Sequence, residues 1–209
     1  EYGQTPYITF DETKPESYAD DFALELLICF APWLAVIVML IAAFAAGNVL
    51  IYVLTPAVAA ALSLVKFCYT HPAHDYPADT VAGLLGEVKV SGVRSIPCTL
   101  RGTIIGRGNP GCIFDDNFVI RDTTGIVMLN YNQPLSVINK LFALFRLPEY
   151  FNKTVTVRGW YRRSPVPYVE LLSYEVDGKV KKCFGYGFGL SWRIALLAVG
   201  VLLVLAVAL

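Results

Sequence analysis

Cys68, His71, His74, Asp75 and Asp79 are the cluster of metal-ligand residue types in this chain. Zinc takes Cys sulfur, His nitrogen and carboxylate oxygen, and two histidines three residues apart share one helix face. Pro72 works against that geometry, because the residue before a proline avoids the helical region. The cluster therefore reads as a polar linker with interfacial Tyr69 and Tyr76, and no metal is expected. Asp115, Asp116 and Asp122 are a second possibility. Paired carboxylates do acid–base work when their surroundings separate their pKa values. Here they stand among Asn, Gly and Thr, where Asp commonly closes turns. A catalytic nucleophile needs a partnered base, and both histidines lie in the linker. The expectation is a chain with no catalytic site and no cofactor of its own.

Arg158, Trp160, Arg162 and Arg163 give a denser signal, with Tyr131, Tyr161 and Tyr168 expected nearby in the fold. Such sets stack bases and hold phosphates on barrels that bind single strands. They also anchor protein interfaces and meet anionic headgroups, at about 1 kcal/mol per basic group close to a membrane. Membrane proximity favours lipid and protein contact and disfavours nucleic acid. The contact candidates are Arg107, Arg158, Trp160, Arg162, Arg163, Tyr168, Lys181 and Lys182. The loop around Arg107, GRGNPG at 106–111, lacks the spacing of a phosphate loop and reads as a long hairpin loop.

The elements that must position these residues follow from periodicity. Residues 99–106 are β-branched and end in the GRGNPG loop. Residues 117–122 and 125–131 flank DTTG, a hairpin signal. The run 134–151 opens at Pro134 and places Leu135, Ile138, Leu141, Phe142 and Phe145 at helical spacing, predicting one apolar face. In 154–162, Val155, Val157 and Gly159 alternate with Thr154, Thr156, Arg158, Trp160 and Arg162, predicting a half-buried strand. Residues 168–176 form the last strand. Three strands, a helix and two strands are the order of a five-stranded oligonucleotide/oligosaccharide-binding (OB) barrel. The stretch 80–90 fits either a short helix or an extra strand.

The barrel lies between segments built for a bilayer. The chain of 209 residues is 56% hydrophobic and 16% charged, with mean hydropathy +0.54. Residues 22–46, 49–69 and 190–209 are each long and apolar enough for a span of roughly 20 residues. Pro56 predicts a kink in the second, and Lys66, near its end, can snorkel to the headgroups. Gly47-Asn48 alone separates the first two spans, so they form a hairpin and the barrel shares a face with the acidic first 21 residues. From 80 to 182 there are fourteen Lys/Arg and eight Asp/Glu, and the hairpin turn has none. Basic residues near spans favour the cytoplasmic side. The expectation is an integral protein of the cell membrane with a cytoplasmic barrel. Were that orientation reversed, Cys98 and Cys112 could pair. Glu1 in place of a start methionine suggests a piece of a longer protein.

The runs GTIIGRGNPGCIFDDNFVIRDTTGIVMLNY and VTVRGWYRRSPVPYVEL resemble the C-terminal region of HtpX-like membrane zinc metallopeptidases. The resemblance covers roughly residues 81–172. It implies a membrane hairpin and small barrel behind a protease domain, but the HExxH helix that would bind zinc is absent from this chain. A looser likeness, in architecture alone, is to NfeD-type membrane proteins with an OB-like domain. The reading is an α+β membrane protein with three transmembrane helices and a small five-stranded OB-like barrel inserted between the second and third. Its parts are an acidic peripheral segment (1–21), a helical hairpin (22–69), a linker (70–97), the barrel (98–178), a hinge (179–189) and a last span (190–209). The expected function is non-catalytic: the barrel binds or positions a protein partner, or a second copy, in a membrane assembly. The alternatives are the rear part of a metallopeptidase and a membrane-tethered single-strand binder.

Overall fold

The computed structural model describes residues 16–72, 75–87, 89–164 and 166–209, and side chains from residue 23 onward. Helices α1 (Glu16–Ala46), α2 (Val49–Thr70) and α5 (Gly185–Ala208) contain three stretches long and apolar enough to cross a membrane. At the α1–α2 turn Gly47 has a positive φ of 60°, and Asn48 caps α2 by accepting the Leu50 N–H at 2.9 Å. α1 and α5 each pack along α2. Gly200 makes the α2–α5 approach close, since a Cβ there would lie 2.8 Å from the Ala57 Cα. Small residues of this kind set helix contacts in lipid.

Five strands close into a barrel: β1 (Ile96–Arg107), β2 (Phe118–Arg121), β3 (Ile126–Asn130), β4 (Thr154–Arg163) and β5 (Pro167–Val176). The meander β1–β2–β3 is antiparallel, β4 lies antiparallel between β1 and β5, and a parallel β3–β5 pairing closes the cylinder. Inward positions alternate along the strands as expected, with Ile104, Phe118, Ile120, Leu129, Val155, Val157, Tyr161 and Val169 in the core. The undecided stretch 80–90 contains a short helix, α3 (Val81–Gly86). Its N-terminus is held by Asp122, whose carboxylate accepts the Val81 N–H at 2.8 Å and closes its own turn through Thr124 and Gly125. Burial opposes the charge on Asp122, but these donors prevail and keep its carboxyl below the usual range.

Two expectations fail. The segment 179–189 is not a hinge: β6 (Lys179–Lys182) pairs with β5, and α5 begins at Gly185, five residues before the expected 190. The reason is the turn Asp177-Gly178, both at positive φ, which is a two-residue hairpin connection. The second failure is the apolar face of 134–151. Regular helix α4 covers only Ser136–Leu141, followed by a wide π turn (Phe142–Arg146) and a tight 3₁₀ turn (Leu147–Tyr150). The change of winding turns Phe142, Ala143, Leu147 and Tyr150 inward, where Phe142 stacks on Tyr131 with centroids 3.9 Å apart. Leu135, Ile138, Leu141 and Phe145 are left 62, 44, 51 and 64% exposed.

Candidate functional site

The barrel is seated on the spans by the outer face of β4. Alternation sends Trp160 and Arg162 away from the barrel core, as the pattern predicts, but that face meets the end of α2 and not solvent. Trp160 is 0% and Arg162 4% exposed. The indole Nε1 donates to the Pro72 carbonyl at 3.0 Å, and the ring sits against His71 (4.9 Å, edge-on) and Tyr186 of α5 (5.0 Å). The Arg162 guanidinium donates to the carbonyls of Gly92 and Thr70, both at 2.7 Å. Its Nε lies 3.0 Å from Glu170 Oε2, placed for charge attraction and not for a linear hydrogen bond.

Glu170 completes the junction. Its Oε2 lies 3.4 Å from His71 Nε2, while His71 Nδ1 is 2.9 Å from the Thr70 hydroxyl and 3.1 Å from the Phe67 carbonyl. Burial raises the pKa of Glu170, but the His71 hydrogen bond and the Arg162 charge outweigh it and hold the carboxyl below its ordinary range. Glu170 therefore stays ionised and gives the buried guanidinium a counter-charge. Further ties reach all three spans. Ser95 donates to the Thr70 carbonyl at 2.9 Å, Arg94 faces Glu25 of α1 at 3.8 Å, and the Gly185 N–H donates to the Asn132 carbonyl at 3.2 Å. A polar cavity of about 290 Å³ remains between them, lined by Lys66, His71, Asn132, Glu170, Tyr186 and Arg193 among others.

The other contact candidates have separate places. Arg107 ties the 106–117 loop to the π turn after α4, donating to the carbonyls of Asp115 (3.0 Å) and Ala143 (2.7 Å). Arg163 donates to the Tyr161 hydroxyl at 3.0 Å and to the Leu85 carbonyl. Tyr168 stands beside Arg162 in the β4–β5 register; burial pushes its phenol up, and the Arg162 charge opposes that. Lys181 reaches the Tyr150 hydroxyl and lies 4.8 Å over that ring. Arg158 and Lys182 are the two of the eight that are exposed. Tyr131 and Tyr161, expected beside the basic set, are buried in the barrel core.

The linker cluster is dispersed. His71 belongs to the junction, Asp79 bonds the Thr80 N–H, Cys68 is exposed, and His74 lies outside the described residues. Among the described residues no three His, Cys, Asp or Glu come together as a metal group. Cys98 and Cys112 are not joined; all five thiols are free, and burial pushes Cys98 and Cys183 up to about 12. Asp115 closes its loop through the Asn109 and Asn117 N–H groups. Glu170 was missed by sequence reasoning, although an acid on an apolar strand, opposite Trp160 of the Arg–Trp–Arg strand, is a usable signal. No protein-family model matches this chain, and no curated protein matches it.

Proposed function

We propose that this chain is a non-catalytic membrane subunit whose OB-type barrel holds a protein partner at the cytoplasmic face of the cell membrane. The observation that carries the proposal is the uncovered apolar face of α4. Leu135, Val137, Ile138, Leu141 and Phe145 stand exposed on a barrel whose own core is filled. Ile113 and Phe114 also stand exposed, on the loop that Arg107 ties to the π turn after α4. Contiguous exposed apolar surface rimmed by polar groups marks interaction sites. Lys140 and Arg146 flank the face, so the matching partner surface is apolar with an acidic rim.

The test is a photo-crosslinking side chain at position 138 in native membranes. One defined protein adduct, lost in Phe145→Glu, is the expected result; crosslinks to lipid alone, or an isolated monomer, overturn it. The cytoplasmic side is tested at Cys112, which is exposed. In a Cys68→Ala background an impermeant maleimide labels it only after the cytoplasmic side is opened. The motif runs at 102–131 and 155–171 support a second reading, a barrel that is the non-catalytic part of a zinc metallopeptidase. An upstream HExxH peptide in the mapped native protein would support that reading.

A further inference from the structure

Lys66 of α2 and Arg193 of α5 are two cations at the barrel end of the spans, and among the described residues neither is ion-paired with a carboxylate. Lys66 Nζ donates to the Cys29 carbonyl at 3.2 Å. Arg193 donates to the Gly189 carbonyl at 2.7 Å and the Ser63 hydroxyl at 3.3 Å, and its guanidinium lies 4.3 Å from the Phe67 ring centre. An ammonium has three donors and a guanidinium five, so both retain donors to give. Charged side chains within spans are costly, settle on one another or on backbone carbonyls as these two do, and mark functional sites.

Both cations line two spaces at once. One is the junction cavity of about 290 Å³, which the Glu170 carboxylate also lines. The other is an apolar groove of about 450 Å³, left where α1 and α5 flank α2. On α5 the groove follows Arg193, Leu196, Gly200 and Leu203, a single face at helical spacing, with Trp33 and Pro56 opposite. From Arg193 to Leu203 the groove runs about 15 Å along the helix. Apolar walls along its length and two cations at its head, with no carboxylate ion-paired to either among the described residues, match an acyl chain ending in an anionic headgroup.

The geometry points to a binding site for one anionic phospholipid of the bilayer, its phosphate on Lys66 and Arg193 and an acyl chain along the groove. The site opens sideways into the hydrocarbon, so the lipid enters from the membrane. It lies apart from the α4 face and does not depend on the partner reading.

The experiment is native mass spectrometry of the full chain in detergent, titrated with phosphatidylglycerol, phosphatidylcholine or inorganic phosphate. The expected result is one phosphatidylglycerol retained per chain, preferred about tenfold over phosphatidylcholine. Lys66→Gln with Arg193→Gln removes the preference, and Lys66→Arg keeps it. Val199→Trp, which fills the groove from a position that is 53% exposed, removes retention of both lipids. Equal retention of the two lipids by the unaltered chain overturns the proposal. So does an undiminished preference in the double Gln variant, or displacement of the lipid by inorganic phosphate.

Discussion

β4 sends Arg158, Trp160 and Arg162 outward from the barrel, and α4 sends Leu135, Ile138, Leu141 and Phe145 outward from its cap. The first set is charged and aromatic, yet Trp160 and Arg162 are buried; the second is apolar, yet it stands exposed. Periodicity reports which side chains share a face. It does not report what lies over that face. For β4 the cover is the end of α2 and the start of α5, brought there by the route of the chain. For α4 the winding changes at Phe142, the barrel takes other residues, and the regular turn keeps its apolar side free.

Four substitutions sharpen or break this contrast. The largest effect is expected at Trp160→Ala, which empties the seat between barrel and spans and costs about 3–5 kcal/mol, read as a lower unfolding midpoint in detergent. A cost below about 0.5 kcal/mol would mean the β4 face is not a true interior. Next is Glu170→Gln, which strands the Arg162 guanidinium and costs about 3 kcal/mol at neutral pH. Its pH profile carries the sign. The folded pKa of Glu170 lies below its ordinary value of 4.5, so its contribution is present above that value and lost as pH falls through the folded one. Over that acid window the unaltered protein loses stability, and Glu170→Gln, measured by the same melts, flattens that part of the profile. Third, Gly200→Val drives a side chain into Ala57 and costs about 1–3 kcal/mol. A normal melt would mean that α2 and α5 part freely. The smallest effect on stability belongs to Ile138→Glu, expected within about 0.5 kcal/mol of the parent. A large destabilisation there would show that the α4 face has a cover within the chain itself.

Much of the frame was legible in the residues. The apolar runs mark the spans, and β-branched alternation with DTTG marks the strands and their order. What escaped did so for physical reasons. Asp177-Gly178 is a strong hairpin signal, but KVKK beyond it has too few apolar residues to read as a strand. The glycines of GYGFG disguise a helix start, which is fixed instead by the Asn132 contact at Gly185. The junction depends on pairings such as Arg162 with Thr70 and Trp160 with Pro72, across 92 and 88 residues of sequence, which no local pattern encodes. That Lys66 and Arg193 line the same spaces escaped for the same reason, since they stand on different helices.

Only Cys183 and Phe184 separate β6 from α5, and the 183 N–H is itself bonded to the Leu172 carbonyl at 2.8 Å. The barrel therefore has almost no leash at this attachment. A domain on a long linker samples a hemisphere above its anchor; this one is confined to a thin slab along the bilayer. Its encounters with another protein of the same membrane become a search over an area and not through a volume. Confinement raises the effective concentration of such a partner without adding a single contact, and it leaves little reach toward anything deep in the aqueous phase.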